Sequence, residues 1–446
     1  MTEQDHDRPA PVPFGEAVRY WLKLGFISFG GPAGQISMMH QELVERRHWI
    51  SEHRFLHALN YTMVLPGPEA QQLATYIGWL MHGVKGGIVA GVLFVLPSLF
   101  ILIALSWIYM RFGHLTAIAG ILYGIKPAVI AIVAAAAWRI GSRTLKTRAL
   151  QAIAVLSFLA IFVFDVPFPF IVIGGGIIGF LGAQFAPEYF LVEDHRHESK
   201  ARYGPAVVGD RTKLPEYAEF HWPKVLLYIV LGVGIWALAM IFLASVFGRE
   251  GSFTEMGWFF TKAALLTFGG AYAVLPYVYQ GGVEHYAWLT GAQMIDGLAL
   301  GETTPGPLIM IVAFVGFVGG WTKAVFGPDA LAFAGVVGAV VATFFTFLPS
   351  FLFILIGAPL VERTRHELRL TAPLEGITAA VVGVIVNLAV FFAYHVLWPT
   401  GFSGSFEWLS LLIGIAAFIA LFRYKVGVVP LIIGCATAGF LLSFVR

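Results

Sequence analysis

Charge and sulfur are both scarce in this chain. Its 446 residues include one cysteine, Cys435, which excludes an intrachain disulfide; the surrounding LIIGCATAGF holds nothing to activate a thiolate, so Cys435 reads as a small packing residue. Charged side chains make up only 12% of the residues against 58% hydrophobic ones, and mean hydropathy is +0.79. That leaves too little polar surface for a soluble globule, and the chain reads as an integral membrane protein. The 28 basic and 26 acidic residues contain no basic block with interleaved aromatics, which sets nucleic acid aside. The opening MTEQDHDRPAPVPFGEAV lacks a positive segment before an apolar core, so no cleavable signal peptide is expected. His48, His53 and His57 lack a His-Glu-x-x-His or cysteine set, and Asp165 and Asp296 show no protease-like setting. No metal, no cofactor and no enzymatic activity are therefore expected.

What the chain does have is a repeat. Phe29-Gly30-Gly31 recurs as Phe268-Gly269-Gly270, Glu45 as Glu284, Trp49 as Trp288, and Pro66-Gly67-Pro68 as Pro305-Gly306-Pro307, each pair 239 residues apart (29 to 268, 66 to 305). Leu96-Pro97-Ser98 and Gly124-Ile125 then recur as Leu348-Pro349-Ser350 and Gly376-Ile377 at a spacing of 252 (97 to 349), which places 13 extra residues near Trp321 to Asp329 of the second copy. An apolar chain built from two copies of one unit points to a transporter.

A bilayer core needs about 20 apolar residues per helix. Nine segments qualify: 87–110, 115–138, 149–165, 168–186, 224–247, 329–357, 372–397, 406–422 and 427–444. Short helices at 14–29 and 254–268 and interrupted segments at 55–82 and 294–320 either span or re-enter. The organisation is a tail (1–13), a first repeat (14–186), a polar linker (187–223) read as flexible or as a small cap, a connecting span without counterpart (224–247), and a second repeat (253–444). Loop charges switch sides between copies. Arg139, Arg143, Lys146 and Arg148 have no basic counterparts after Trp398, whereas Arg363, Arg365 and Arg369 face only Arg111. The fold class expected is an all-α polytopic membrane protein with two inverted-topology repeats, the extra span supplying the inversion. The N-terminus is expected in the cytoplasm and the C-terminus outside the inner membrane.

Inverted repeats place their substrate site near the midplane, where helices break. Pro66, Gly67 and Pro68, with Pro305, Gly306 and Pro307, should start new half-helices whose free N–H groups and dipoles attract anions; Gly30, Gly31 and Pro32, with Gly269 and Gly270, can do the same. Pro and Gly are common in membrane helices anyway, but their symmetric recurrence favours a site.

The blocks SFGGPAGQISMMHQELVERRHWI and LNYTMVLPGPEAQQLATYIGW, with TFGGAYAVLPYV and LALGETTPGPLIM in the second copy, resemble the CHR-type chromate ion transporters in their long two-domain form. The resemblance implies export of chromate, a tetrahedral dianion similar to sulfate. Ala271 stands where the first copy has Pro32, so the copies are not expected to bind equivalently.

Among side chains, Lys126 is the first choice for a cationic ligand, with pairing to a carboxylate as the structural alternative. Gln35, Asn60, Gln71 and Gln72 offer neutral donors, or else interhelical hydrogen bonds. Lys23 and Lys262 rank lower as snorkelling side chains, and Arg46 and Arg47 read as a solvated vestibule. Glu69, Asp296 and Glu302 repel a dianion and ask for another role: Asp296 and Glu302 suit proton coupling, with ion pairing to Lys126 or helix capping as the alternatives, and capping suits Glu69 at its half-helix start. Gly87-x-x-x-Gly91 and Gly120-x-x-x-Gly124 serve close packing within the chain or in a homodimer. An oxyanion channel is the rival reading, since re-entrant breaks also build filters.

Overall fold

Each apolar run forms a helix, because a backbone in lipid must satisfy its hydrogen bonds within its own segment. The computed structural model describes residues 10–29, 31–186, 205–209, 212, 216–363 and 371–444. Gly30, Arg365, Arg369, the first nine tail residues and most of the linker lie outside the described residues. The first copy contains α1 (Phe14–Ile27), α2 (Gly31–His40), α3 (Glu52–Val64), α4 (Glu69–Phe112), α5 (Thr116–Thr144), α6 (Arg148–Phe164) and α7 (Phe168–Phe185). The connecting helix is α8 (Trp222–Phe247). The second copy contains α9 (Ser252–Leu265), α10 (Ala271–Tyr279), α11 (Gly291–Thr303), α12 (Ile311–Thr322), α13 (Leu331–Arg363), α14 (Thr371–Leu397), α15 (Trp408–Phe422) and α16 (Val428–Leu442). Among the described residues, six helices (α4, α5, α7, α8, α13 and α14) are long and apolar enough to cross a membrane; α6, α12, α15 and α16 are shorter apolar helices. This is a polytopic, all-helical membrane architecture.

The repeat is written into the backbone as well as the sequence. Both copies continue into a π-helical turn, Gln41–Arg46 and Gln280–His285, and both then place a non-glycine residue in the left-handed region, His48 at φ 51° and Ala287 at φ 49°. Gly31 and Gly270 have φ of 74° and 98°, so each Gly-Gly break uses a conformation that a side chain disfavours.

Helix α4 is not one rod. His82 and Gly83 leave helical geometry, and a Cβ on Gly78 would lie 2.6 Å from Cβ of Ala90. Residues 12 apart in a straight helix are separated by roughly 18 Å, so the chain folds back at Gly83 into an antiparallel pair. Glycines permit the close approach: Gly87 faces Thr75 and Trp79, and Gly91 faces Gln71 and Thr75. The second copy builds the same pair from α12 and α13, with Gly316 against Gly338 and Gly320 against Ala334. Its turn holds the extra residues, as a loop with a short 3-10 turn at Pro328–Ala330.

The short helix before each Pro-Gly-Pro turn packs back on the helix that follows it. Tyr61 on α3 packs on Tyr76 of α4 with ring centroids 6.0 Å apart, and Gly297 on α11 packs on Phe314 of α12. Each contact spans a Pro-Gly-Pro, so each broken segment is a hairpin with that motif at its tip. The base of the first hairpin lies by the Gly83 turn of α4, and that of the second meets Tyr109 near the other end of α4, about 39 Å away for 26 helical residues.

The copies also exchange helices. Helix α14 packs between α6 and α7 of the first copy, and α5 packs between α15 and α16 of the second. Gly376 abuts Gly175 and Gly179; Gly120 and Gly124 abut Gly439. The small-residue motifs anticipated for close packing thus work inside the chain. By contrast, α8 is only 11% buried over its most apolar window, against 61% for α13.

The described end of the linker docks on the first copy rather than hanging free. Val208 makes a parallel bridge to Ile50, and Tyr217 donates to Leu80 O (3.1 Å) while covering Gly83.

Candidate functional site

The two Pro-Gly-Pro tips meet the opposite copy's Gly-Gly break. Gly67 N–H donates to Thr267 O (2.7 Å), and Gly306 N–H donates to Ser28 O (2.9 Å). These contacts are related by the repeat, since Thr267 stands 239 residues after Ser28 as Gly306 does after Gly67. Each tip also presses on a serine of the other copy. A Cβ on Gly67 (φ 126°) would lie 2.5 Å from Ser350 Oγ, and one on Gly306 (φ 104°) would lie 2.8 Å from Ser98 Cβ. Only glycine meets both requirements, a left-handed backbone and no side-chain volume.

After each tip a helix begins with unpaired donors. Gln72 N–H closes on Pro68 O (3.0 Å), leaving Glu69, Ala70 and Gln71 N–H without a helical acceptor. In the second copy Met310 N–H closes on Pro307 O (2.9 Å), leaving Leu308 and Ile309. Around these termini lie buried hydroxyls without a partner, on Ser28, Ser98 and Ser350. All three are at most 1% exposed, as are Thr267, Gln35, Gln71 and Gln72. Buried polar groups are normally paired, so this cluster of free hydroxyls and helix N-termini is equipped to receive an anion. It is closed to solvent in this conformation.

Gln35 ties the cradle together, its Nε2 donating to Ser28 O (3.1 Å) and Gly306 O (2.6 Å). Gln72 Nε2 donates to Pro66 O (2.8 Å) and holds the first tip closed, whereas Gln71 turns to Thr75 on its own helix (3.0 Å). Gly31 and Pro32, with Gly269 and Gly270, open the helices that follow the breaks. Pro66, Pro68, Pro305 and Pro307 flank the two tip glycines. Asn60 is on an exposed face of α3, away from the cradle.

Lys126 is elsewhere. Its Nζ is 3.4 Å from Asp296 Oδ1, and Tyr109 donates to Asp296 Oδ2 (3.0 Å). The three border a cavity of about 330 Å³ with His114 and Gln293 at the base of the second hairpin. Lys126 and Asp296 are thus partners, which is the structural alternative for Lys126. Glu302 is nearer the tip, 9% exposed, and accepts from the hydroxyl of Tyr272, which follows the second Gly-Gly break. Glu69 opens the returning helix of the first copy, where the dipole favours a carboxylate. Arg47 pairs with Glu42 (2.8 Å) and Glu16 (2.9 Å) at a partly exposed surface, as a vestibule residue would.

Sequence reasoning passed over Ser28, Thr267, Ser98 and Ser350. The signal for the last two was present, because Leu-Pro-Ser is itself a repeated block; it served for register and not for chemistry. No sequence signal pairs Tyr109 with Asp296 or Tyr272 with Glu302, because those contacts depend on how the copies interlock.

The family described as Chromate transporter matches residues 15–180 and 254–440. A chromate transport protein of Pseudomonas aeruginosa is 34% identical, over 97% of this chain and 94% of its own. One from Cupriavidus metallidurans is 30% identical over 85% and 82%, and a probable chromate transport protein of Synechococcus elongatus is 29% identical over 86% of each. No solved structure matches.

Proposed function

Because the chain belongs to the chromate transporter family, we propose that it exports chromate across the inner membrane by alternating access, with sulfate as a competitor or alternative substrate. The reciprocal seating of the two tips carries this reading: each copy supplies one re-entrant helix start and one Leu-Pro-Ser serine, Ser98 or Ser350, against the other copy's tip, with Ser28 beside them. Backbone N–H groups and hydroxyls match a tetrahedral dianion that must also be released. Fixed lysines there would hold it longer. The hairpin bases at opposite ends of α4 favour inverted copies, with the linker face in the cytoplasm.

Glu302 is the coupling group of this mechanism. It stands four residues before the second tip glycine and is reached by Tyr272 from the second break, so movement of that break changes the partner of a buried acid. Asp296 couples through its exchangeable bond to Lys126.

Everted vesicles energised by respiration should accumulate radiolabelled chromate, excess sulfate should reduce the uptake, and collapse of the proton gradient and membrane potential should abolish it. Uptake unaffected by that collapse would support the channel reading. Reporter fusions after Arg148 and after Pro399 should report opposite sides of the membrane; same-side results remove the inversion.

A further inference from the structure

Among the described residues an ion pair joins the copies at the base of each hairpin. At the base of the first, Arg54 lies 3.7 Å from Glu362 of α13, both side chains 3% exposed. Tyr76 donates to the same carboxylate (2.6 Å), and Arg54 also donates to Thr212 O of the docked linker (2.9 Å). At the base of the second hairpin, Asp296 is held by Lys126 and Tyr109 of the first copy. Each set is one cation, one carboxylate and one tyrosine, and in each the carboxylate comes from the second copy. The sets are not images under the repeat: Gln293 stands at the position matching Arg54, and His57 at that matching Asp296. The same closure has therefore been built twice from unrelated positions, one at each approach to the cradle.

We propose that Arg54–Glu362 and Lys126–Asp296 are the two gates of the transport pathway, broken alternately, and that both are closed here. This rests on the alternating-access reading. The arrangement fits an occluded state, because the hydroxyls between the tips are sealed while both pairs are made. Breaking a pair releases one hairpin base from the other copy. Since the tip of that hairpin is seated on the other copy's break, the motion at the base is transmitted to the cradle. The gates also differ in wetness. Lys126 is 29% exposed and opens on the 330 Å³ cavity, whereas the Arg54 pair is dry, with Arg54 also donating to Thr212 O. Water competes for an exposed pair, so the Lys126 gate opens more readily.

The test is side-specific thiol labelling of a buried reporter, Ser350→Cys, in a Cys435→Ser background, using an impermeant maleimide on vesicles of each orientation. With both gates intact, labelling should be slow from either side. Lys126→Gln should raise the rate from one side by at least about tenfold, and Arg54→Gln should do so from the opposite side only. Glu362→Gln keeps the shape and an acceptor for Tyr76, so it should open the same side as Arg54→Gln and serves if that variant does not fold. Exchanging the pair, Arg54→Glu with Glu362→Arg, should restore slow labelling. Unchanged rates in folded variants, or rises from the same side for both gates, overturn the proposal. Labelling needs no chromate. A protein that labels as expected without moving chromate loses the substrate assignment and keeps the gates; one that moves chromate with unaltered labelling does the reverse.

Discussion

The two copies share a backbone and divide the chemistry. Their π-helical turns, left-handed residues, Gly-Gly breaks and Pro-Gly-Pro tips coincide position by position. Several of their polar side chains do not. Gln35, which clamps Ser28 to the second tip, has Val274 as its counterpart; Glu69 has Leu308, Glu302 has Met63, and Asp296 has His57. The difference teaches that the frame of the site needs two-fold likeness, because each tip must seat on the other copy, whereas binding and coupling need only one of each group. The first copy thus holds the amide clamp, and the second holds the buried acids.

The largest effect should come from attacking what the copies share. Gly67→Ala and Gly306→Ala each introduce a Cβ against a serine and force a left-handed backbone on an L-residue, so either should cut chromate uptake at least about 100-fold, with insertion preserved. Unequal losses would show that one tip dominates. Next come the acids. Glu302→Gln should abolish the dependence of uptake on the proton gradient, while Glu69→Gln should retain it; the opposite result moves coupling to the first copy. Gln35→Val makes the first copy resemble the second at this position and leaves the Gly306 carbonyl without its donor, while Ser28 O keeps the Gly306 N–H. A loss of about 1–3 kcal/mol is expected, read as a roughly fivefold or greater rise in the chromate concentration for half-maximal uptake. Val274→Gln should do much less.

The smallest effect concerns the surface. Arg47 beside Glu42 holds that carboxyl below its ordinary value of 4.5, and the corresponding residues of the second copy are Tyr286 and Gly281. A lowered folded value contributes stability above the unfolded one and loses it as pH falls through the folded value. Acidification from neutrality to below 4.5 should therefore lower the thermal midpoint of the parent slightly more than that of Glu42→Gln; equal slopes would remove the pair from the stability of the first copy.

Much of this was legible in the chain, for physical reasons. Hydrophobic runs dictate helices in lipid, so the nine apolar segments all appear as helices, and glycine and proline mark where helices break, so both tips fall where the sequence placed them. The insertion was found from register alone, at the turn between α12 and α13. The site was less legible. Lys126 reads in the sequence as a cation that could pair with Glu69, Asp296 or Glu302; the partner is Asp296, 170 residues away (126 to 296), and nothing local selects it among the three. Asn60 looked like a donor near the tip, but its helical phase turns it outward. The serines were hidden because a hydroxyl is unremarkable in sequence and becomes informative only once it is buried without a partner.

The exchange of helices has a consequence for biosynthesis. Helices α6 and α7 have no α14 to close on until a further 185 residues have been made (185 to 371), which is roughly 10–40 s of translation. During that interval the first half is inserted in the bilayer but topologically open, with its glycine faces turned to lipid. Insertion and folding are therefore separate events in time, and neither half should reach its native packing when expressed without the other.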